Sequence, residues 1–381
     1  MREIAIVGIG IHKFGRFDGK PYAEIGREAA RMALKDANMS WRDIEAGYVA
    51  EMYLPATSGA RILAPLGRTG IPIADVEAAC ASGGVALRQG IIGIQSGQFD
   101  NVLVLGVEKM TRGFMDPSML YEKWQIQMGL STNPSYWAMK ARRHMEEYGT
   151  TDLHIAKVAY KNHKNSVLNP YAMYQKAFSI EEILNSPMVC DPIHLLEICA
   201  PNEGAAAVVL CPKEKARRYT SKPIMLSSCI HTIAQYASDF RVPSESMSTK
   251  IVNPGPTAVA GKKAYAEAGV GPEDIDIAEV QDTDAFCEME VYEELGFCKP
   301  GESGRLVDEG ETEIGGRIPI NVSGGLICKG EPVGASHLGQ VFEVVLQLRG
   351  EAGARQVPDC KVGLAHVIGA GGNCAVTIMK K

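Results

Sequence analysis

Three stretches of the chain carry the side chains best suited to covalent chemistry. Cys80 lies in DVEAACASGGVALRQGIIGI, where residues leading out of a strand meet Ala81, Ser82, Gly83 and Gly84, and an apolar-spaced helix runs on from Val85. Small residues permit a sharp junction, and a sulfur held there sits near unpaired helical N–H groups, which favour the thiolate and so a nucleophile. A structural core cysteine fits the same pattern. His366, in GLAHVIGAGGNCAVTI, comes just before a glycine turn between two short apolar runs. A histidine beside tightly turned backbone can reach a ligand as acid or base; a hydrogen-bonded structural histidine is the alternative. The third stretch, NVSGGLICKGEPVGASH, joins a glycine cluster to Glu331, Pro332 and finally His337. It reads as a loop running into a helix, with a carboxylate where a neutral acid or base is expected.

The elements that position these residues alternate between strand and helix. EIAIVGIG reads as a buried first strand, and YAEIGREAARMALKDANM as the helix that follows, with Ile25, Ala29, Met32 and Ala33 on its apolar face and a turn at Ser40 to Asp43. The glycines of GIGIHK do not make a dinucleotide loop, since the third glycine and the ribose-binding acid are missing. Gly369, Gly371 and Gly372 serve close backbone approach, because no phosphate-loop signature accompanies them. An internal echo organises the chain: AARMALKDANMSWRDIE (29–45) matches AGKKAYAEAGVGPEDID (260–276), with Ala33 opposite Ala264, Ala37 opposite Ala268, and Asp43 and Ile44 opposite Asp274 and Ile275. Two copies of an α/β unit follow, 1–221 and 222–381, whose facing loops share one cleft. Between Thr111 and Ile198 the composition shifts toward Met, Tyr, Lys and Pro, which marks an excursion from the first half that supplies a lid or cleft wall.

Composition sets limits on the function. With 381 residues, 46% of them hydrophobic, the chain has ample material for a large core. Its net charge of -6, with dispersed lysines and arginines, excludes a nucleic-acid partner. No apolar run reaches the roughly 18 residues of a membrane span, and MREIAIVGIG lacks the features of a secretory leader, so the cytosol is the expected compartment. Ten cysteines without a CxxC pair imply neither a disulfide framework nor a zinc site in this chain.

Taken in order, EIAIVGIG, ACASGG, VLVLGVEKM, RRHMEEYGTT, NEGAAAVVL, AEVQDTDAF, NVSGGLICKGEPVGAS and GLAHVIGAGG resemble the thiolase superfamily, in its sterol-carrier-protein-like branch of bacteria and archaea, over essentially the whole chain. The resemblance implies a duplicated, five-layered αβαβα fold with a loop domain inserted in the first half. It implies that Cys80 attacks a 3-oxoacyl-CoA and holds the acyl group as a thioester until free coenzyme A removes it, with no covalently bound cofactor and no metal. His366 falls where this branch carries a histidine acting on the substrate α-carbon. Backbone N–H groups beside Cys80, Gly369 and Gly371 become oxyanion donors, Thr283 and Asp284 occupy the water-positioning segment, and Asn321 belongs to the turn that holds the thioester. Phe286, Ser323, Gly324 and His337 are matched to substrate or coenzyme A binding.

Two departures from the family pattern stand out. Gly330, Glu331, Pro332 replaces glycine-histidine-proline, and Thr283 stands where Asn or His is usual. An ionised carboxylate cannot donate to an oxyanion and opposes thiolate formation beside it, so Glu331 is a protonated acid, a general base for Cys80, or a substrate-binding group. His337 replaces a glycine of the family pattern, either compensating for the lost histidine or pointing elsewhere from its helix. Similarity to benzoylsuccinyl-CoA thiolase suggests cleavage of 2-benzoylsuccinyl-CoA to benzoyl-CoA and succinyl-CoA, in a homodimer joined by a small zinc-ribbon/OB-fold accessory subunit. An acetoacetyl-CoA thiolase coupled to hydroxymethylglutaryl-CoA synthase, a thiolase-like retro-aldol lyase and a non-catalytic acyl-CoA or lipid binder are the alternatives.

Overall fold

The computed structural model describes residues 2–119, 121–130, 132–239 and 251–381. In chain order the strands of the main sheet are β1 (Ile4–Gly15), β2 (Ala46–Ala50), β3 (Ile73–Val76), β4 (Val102–Lys109), β5 (Glu203–Pro212), β6 (Ile224–Thr232), β7 (Ile277–Glu279), β8 (Val362–Gly369) and β9 (Asn373–Lys380), beside a separate two-stranded sheet of Met188–Cys190 and Ile193–His194. The main helices are α1 (Tyr22–Asp36), α2 (Ser82–Gln95), α3 (Asn133–Tyr148), α4 (Asp152–Ser166), α5 (Pro256–Ala268), α6 (Ala285–Glu294) and α7 (Ser336–Arg349). Among the described residues the nine strands form one mixed sheet in the order β3-β2-β4-β5-β1-β6-β9-β8-β7. The halves join where Ile4, Ala5 and Ile6 pair antiparallel with Leu226, Met225 and Ile224.

The helices lie in three layers around this sheet. On one outer face α1 packs across β1, β4 and β5 through Ala29, Ala30 and Ala33. Ile25, Ala29 and Ala33 face inward as their spacing predicts, but Met32 is 42% exposed and belongs to the solvent face. The glycines of the first strand have a packing reason: a Cβ on Gly8 or Gly10 would run into the carbonyl oxygens of Ala33 or Ala29. Helices α2 and α7 fill the middle, touching strands of both halves, with Leu87, Ile94, Leu338, Val341 and Val345 in the shared core. Helix α5 covers β6 and β9 on the far side, and α6 packs against α4.

The result is a mixed α/β fold, and the repeat is visible in its connections. Helix α1 leads through a 3-10 turn at Trp41–Asp43 into β2, and α5 leads through a 3-10 turn at Pro272–Asp274 into β7. The aspartate closing each turn accepts a hydrogen bond from a backbone N–H three residues earlier, Asp43 from Ser40 at 2.7 Å and Asp274 from Gly271 at 2.8 Å. A side-chain acceptor there satisfies an otherwise orphaned donor at the start of the turn. Helices α3 and α4 come from the excursion and lie over the second half, beside α6.

Candidate active site

Strand β3 hands the chain to α2 through a turn that turns Cys80 toward a cavity. Ala79 takes a left-handed φ of +50°, and Ser82 ties the turn by accepting from the Ala78 N–H at 2.8 Å and donating to the Ala79 carbonyl at 2.6 Å. Small residues are needed here because α2 is pressed between neighbours. A Cβ on Gly84 would overlap that of Ala375, and one on Gly83 would lie 3.2 Å from the His337 Cβ. The end of β8 closes on Cys80 from the other side: a Cβ on Gly369 would stand 2.7 Å from the Cys80 nitrogen. Gly371 continues that turn with a φ of +70°.

The Cys80 thiol is held well above its ordinary pKa, first by burial, then by the charge of Glu331 and the hydrogen bond to it. Backbone N–H groups of Cys80 and Ala370 pull the other way and are outweighed. Helix-end stabilisation of a thiolate is therefore not the governing effect in the resting site. The thiol keeps its proton, with a carboxylate as its neighbour.

Glu331 is 6% exposed and fixed from both ends. Its backbone N–H donates to the Ala200 carbonyl at 2.9 Å, while the Cys199 N–H donates to the Thr283 carbonyl at the same distance. The strap 199–201 thus stitches the Thr283 segment to the Glu331 loop. Gln281 Nε2 donates to Glu331 Oε1 at 2.6 Å, and Cys199 Sγ donates to Oε2 at 2.8 Å. Gly330, at φ +104°, lets this loop lie against the Asn202 amide, which a Cβ would overlap.

The cavity above Cys80 holds about 70 Å³. Cys80, Thr283, Gly369 and Gly371 line it, as do Met52, Val333 and Ile368. Its opposite wall is Met115, Tyr121, Gln125, Leu130, Asn133, Tyr136 and Trp137, all from the excursion.

The other residues singled out in the sequence stand behind these walls. His366 is fully buried; its Nδ1 accepts from the Gln281 N–H at 3.4 Å, so the ring proton sits on Nε2, 3.0 Å from Thr257 Oγ1. Burial, and then the neighbouring His337, lower its pKa to about 3. His337 is likewise buried, 2.9 Å from Thr377 Oγ1, with its pKa lowered by burial to about 4. Asp284 caps α6, accepting from the Cys287 N–H at 2.9 Å, and burial raises its pKa to about 7. Phe286 packs edge-on against the His144 ring in the core.

Asn321, at φ +54°, accepts from the Val280 N–H at 2.8 Å and donates to Glu288 at 2.8 Å. Ser323 hydrogen-bonds Glu279, which also meets the buried Lys329 at 3.3 Å. Gly324, at φ +97°, starts the short helix Gly325–Lys329 against Ser166. These side chains brace the loop that carries Glu331. Gln281 and Cys199 were not singled out. Gln281 had one usable signal, since it lies two residues before Thr283 and alternate residues of an extended segment share a face; Cys199 had none.

Profiles of two families match the chain: "Thiolase, N-terminal domain" over residues 4–214 and "Thiolase C-terminal domain-like" over 242–381. The chain belongs to the thiolase family. This thiolase is 40% identical to the acetyl-CoA acetyltransferase of Methanothermobacter thermautotrophicus, with all of both chains covered. It is 38% identical to sterol carrier protein 2 of Oryctolagus cuniculus over 99% of this chain and 72% of that one. Among solved structures it superposes on "Ltp2-ChsH2(DUF35) aldolase" with a TM-score of 0.86 and 26% identity, covering 99% of this chain and 97% of the other. It is a thiolase-type acyltransferase, with coenzyme A as co-substrate. Among the described residues no cluster of three or more His, Cys, Asp or Glu is arranged to hold a metal, and no helix is long and apolar enough to cross a membrane.

Proposed function

We propose that this thiolase cleaves a 3-oxoacyl-CoA through an acyl-enzyme on Cys80, with Glu331 as the base. The observation that carries the reading is Glu331 as the charged neighbour that, after burial, raises the pKa of Cys80, the thiol that lines the cavity. As Cys80 Sγ bonds to the C3 ketone carbon, its proton passes to Glu331 and the carbonyl oxygen becomes an oxyanion. The C2–C3 bond then breaks, leaving the acyl group on sulfur and its electron pair on the departing acyl-CoA as an enolate, which takes up at C2 the proton that Glu331 received from Cys80. Coenzyme A attacks the thioester, its thiol proton passing by way of Glu331 to the departing Cys80 sulfur, and leaves carrying the acyl group as an acyl-CoA. The backbone N–H groups of Cys80 and Ala370, which act on the Cys80 sulfur, and the Thr283 hydroxyl, which lines the cavity, are the donors this reading assigns to the oxyanion.

The acyl group we propose is benzoyl, from 2-benzoylsuccinyl-CoA. The methionine and aromatic wall of Met52, Met115, Tyr121, Tyr136 and Trp137 supports it, because thioethers and ring edges suit an aromatic face. Acetyl transfer from acetoacetyl-CoA is the second reading. It is favoured by the 40% identical acetyl-CoA acetyltransferase and by the cavity volume of about 70 Å³, under half of the ~150 Å³ apolar cavity that takes benzene. For benzoyl to bind, the excursion wall has to move outward.

The domain division 1–221 and 222–381 is kept, since β5 ends at Pro212 and β6 begins at Ile224. A homodimer is supported by β3, an edge strand with a half-exposed face and an unpaired side. An accessory zinc-ribbon/OB-fold subunit is supported by likeness to a solved structure whose name joins two proteins. Cytosolic residence is supported by ten cysteines that all stay free.

Intact-mass measurement after mixing with 2-benzoylsuccinyl-CoA or acetoacetyl-CoA tests the reading. A benzoyl or acetyl adduct that disappears in Cys80→Ala is expected, and the larger kcat/KM identifies the substrate. Unchanged turnover in Cys80→Ala with no adduct refutes the acyl-enzyme and leaves a retro-aldol lyase; no turnover of either substrate by an intact fold leaves a binding protein.

A further inference from the structure

We propose that Gln281 is a positioning residue that, together with Cys199, fixes the Glu331 carboxylate and turns the Thr283 hydroxyl into the cavity. The inference rests on Glu331 acting as the base. Gln281 is fully buried at the end of the β7 segment, and its single Nε2 serves two acceptors, Glu331 Oε1 at 2.6 Å and Thr283 Oγ1 at 3.0 Å. The amide orientation is dictated by its neighbour, because a flipped side chain would set a carbonyl oxygen against a carboxylate oxygen. In the orientation adopted, Oε1 accepts no hydrogen bond from the described residues. An unpartnered buried carbonyl is unfavourable by about 1–3 kcal/mol, so the two Nε2 contacts must repay it.

Those contacts have directional consequences. Because Thr283 Oγ1 accepts from Gln281, its own proton is free to point at an oxygen in the cavity that Thr283 lines. Because Glu331 Oε1 is held by the amide and Oε2 by Cys199 Sγ at 2.8 Å, both oxygens are fixed while the carboxylate receives the Cys80 proton. The arrangement divides between three side chains what one imidazole does alone: Glu331 takes the proton, Thr283 donates to the oxyanion, and Gln281 couples them.

The titratable groups facing Glu331 are the thiols of Cys80 and Cys199 and the Tyr53 phenol, with Asp282 beside Cys199. Asp282 is held by the Leu326 and Ile327 N–H groups at 2.6 and 3.1 Å, away from the carboxylate. Cys199 keeps its proton, since burial and then Glu331 push its pKa well up, and so it remains a donor across the working pH range.

The test uses the full-length enzyme and follows two readouts, thiolysis and the pH profile of Cys80 alkylation by iodoacetamide. Gln281→Leu removes both amide contacts and is expected to lower kcat about 10- to 100-fold, the span of one hydrogen bond to a charged group, with KM changed less than about 2-fold. Its alkylation profile is expected to move. Cys199→Ser retains a donor and is expected to keep most of the rate, whereas Cys199→Ala loses about as much as Gln281→Leu; this pair carries the test if Gln281→Leu does not fold. Wild-type kcat and alkylation profile in Gln281→Leu, or equal rates in Cys199→Ser and Cys199→Ala, overturn the positioning role. If Glu331→Gln itself thiolyses at the wild-type rate, it is the base reading that has failed; impaired Glu331→Gln beside normal Gln281→Leu overturns the present inference alone.

Discussion

Replacing Glu331 by glutamine separates its two effects on Cys80, because they act in opposite directions. The carboxylate raises the thiol's pKa through its charge and hydrogen bond, and it is also the acceptor for the proton that must leave. Glu331→Gln preserves shape and buried volume while removing both. A unit charge about 4 Å from a thiolate is worth on the order of 4 kcal/mol at an effective dielectric of about 20, which is a ceiling on how far the charge opposes ionisation. Without substrate, Cys80 in Glu331→Gln ionises more readily, so the alkylation half-point moves to lower pH. With substrate, no base accepts the proton during attack, and loss of a general base lowers kcat by roughly 10²- to 10⁴-fold. The assay pairs stopped-time iodoacetamide labelling, read by intact mass from pH 6 upward, with thiolysis followed as loss of 3-oxoacyl-CoA. A thiol that is easier to alkylate in an enzyme slower to turn over is the expected signature. Damage to the site would slow both, and a half-point moved to higher pH would refute the electrostatic argument.

Other consequences follow from the same geometry. His366 and His337, with pKa values lowered to about 3 and about 4, are buried neutral, so the unfolded chain binds more protons below about pH 6.5 and stability falls as pH drops through that window. Each contributes up to about 1.4 kcal/mol per pH unit, and the unfolding free energy of His337→Gln measured against pH should have a shallower acid slope than wild type. Gly369→Ala sets a Cβ 2.7 Å from the Cys80 nitrogen, so kcat should fall more than stability does, checked by thiolysis alongside thermal unfolding. Lys161→Met strands Glu288, fully buried and 2.8 Å from the lysine ammonium, and should destabilise by about 3–5 kcal/mol in urea unfolding.

The site shows what residue type and spacing can carry. The junction at Cys80 was legible because Ala81, Ser82, Gly83 and Gly84 admit only a tight strand-to-helix turn, and Thr283 and Gly369 do line the cavity with it. The polar atoms of Asn321 and Ser323 hydrogen-bond Val280, Glu279 and Glu288 in this structure. Glycines and short polar side chains serve a substrate loop and a braced turn equally well, so spacing alone does not say which way they face. The excursion was legible as a wall, but not which of its aromatics line it, since Tyr121, Tyr136 and Trp137 reach the cavity through tertiary packing.

Exchange of an imidazole for a carboxylate changes what the neighbouring residues must supply. Imidazole is acceptor and donor in one ring and stays uncharged near neutral pH. A carboxylate accepts only, and burying it unpaired is strongly unfavourable. Around Glu331 the structure answers both requirements: Gln281 and Cys199 donate to the carboxylate, and Thr283, accepting from the same Gln281 amide, is left with a proton to give. His366 is engaged elsewhere in this structure, its Nδ1 with the Gln281 backbone N–H and its Nε2 with Thr257. On the proposed reading the acid in the glycine-rich loop is one member of a set of compensating residues, and restoring histidine at 331 without changing Gln281 and Cys199 would leave two donors facing a ring nitrogen that can accept from only one.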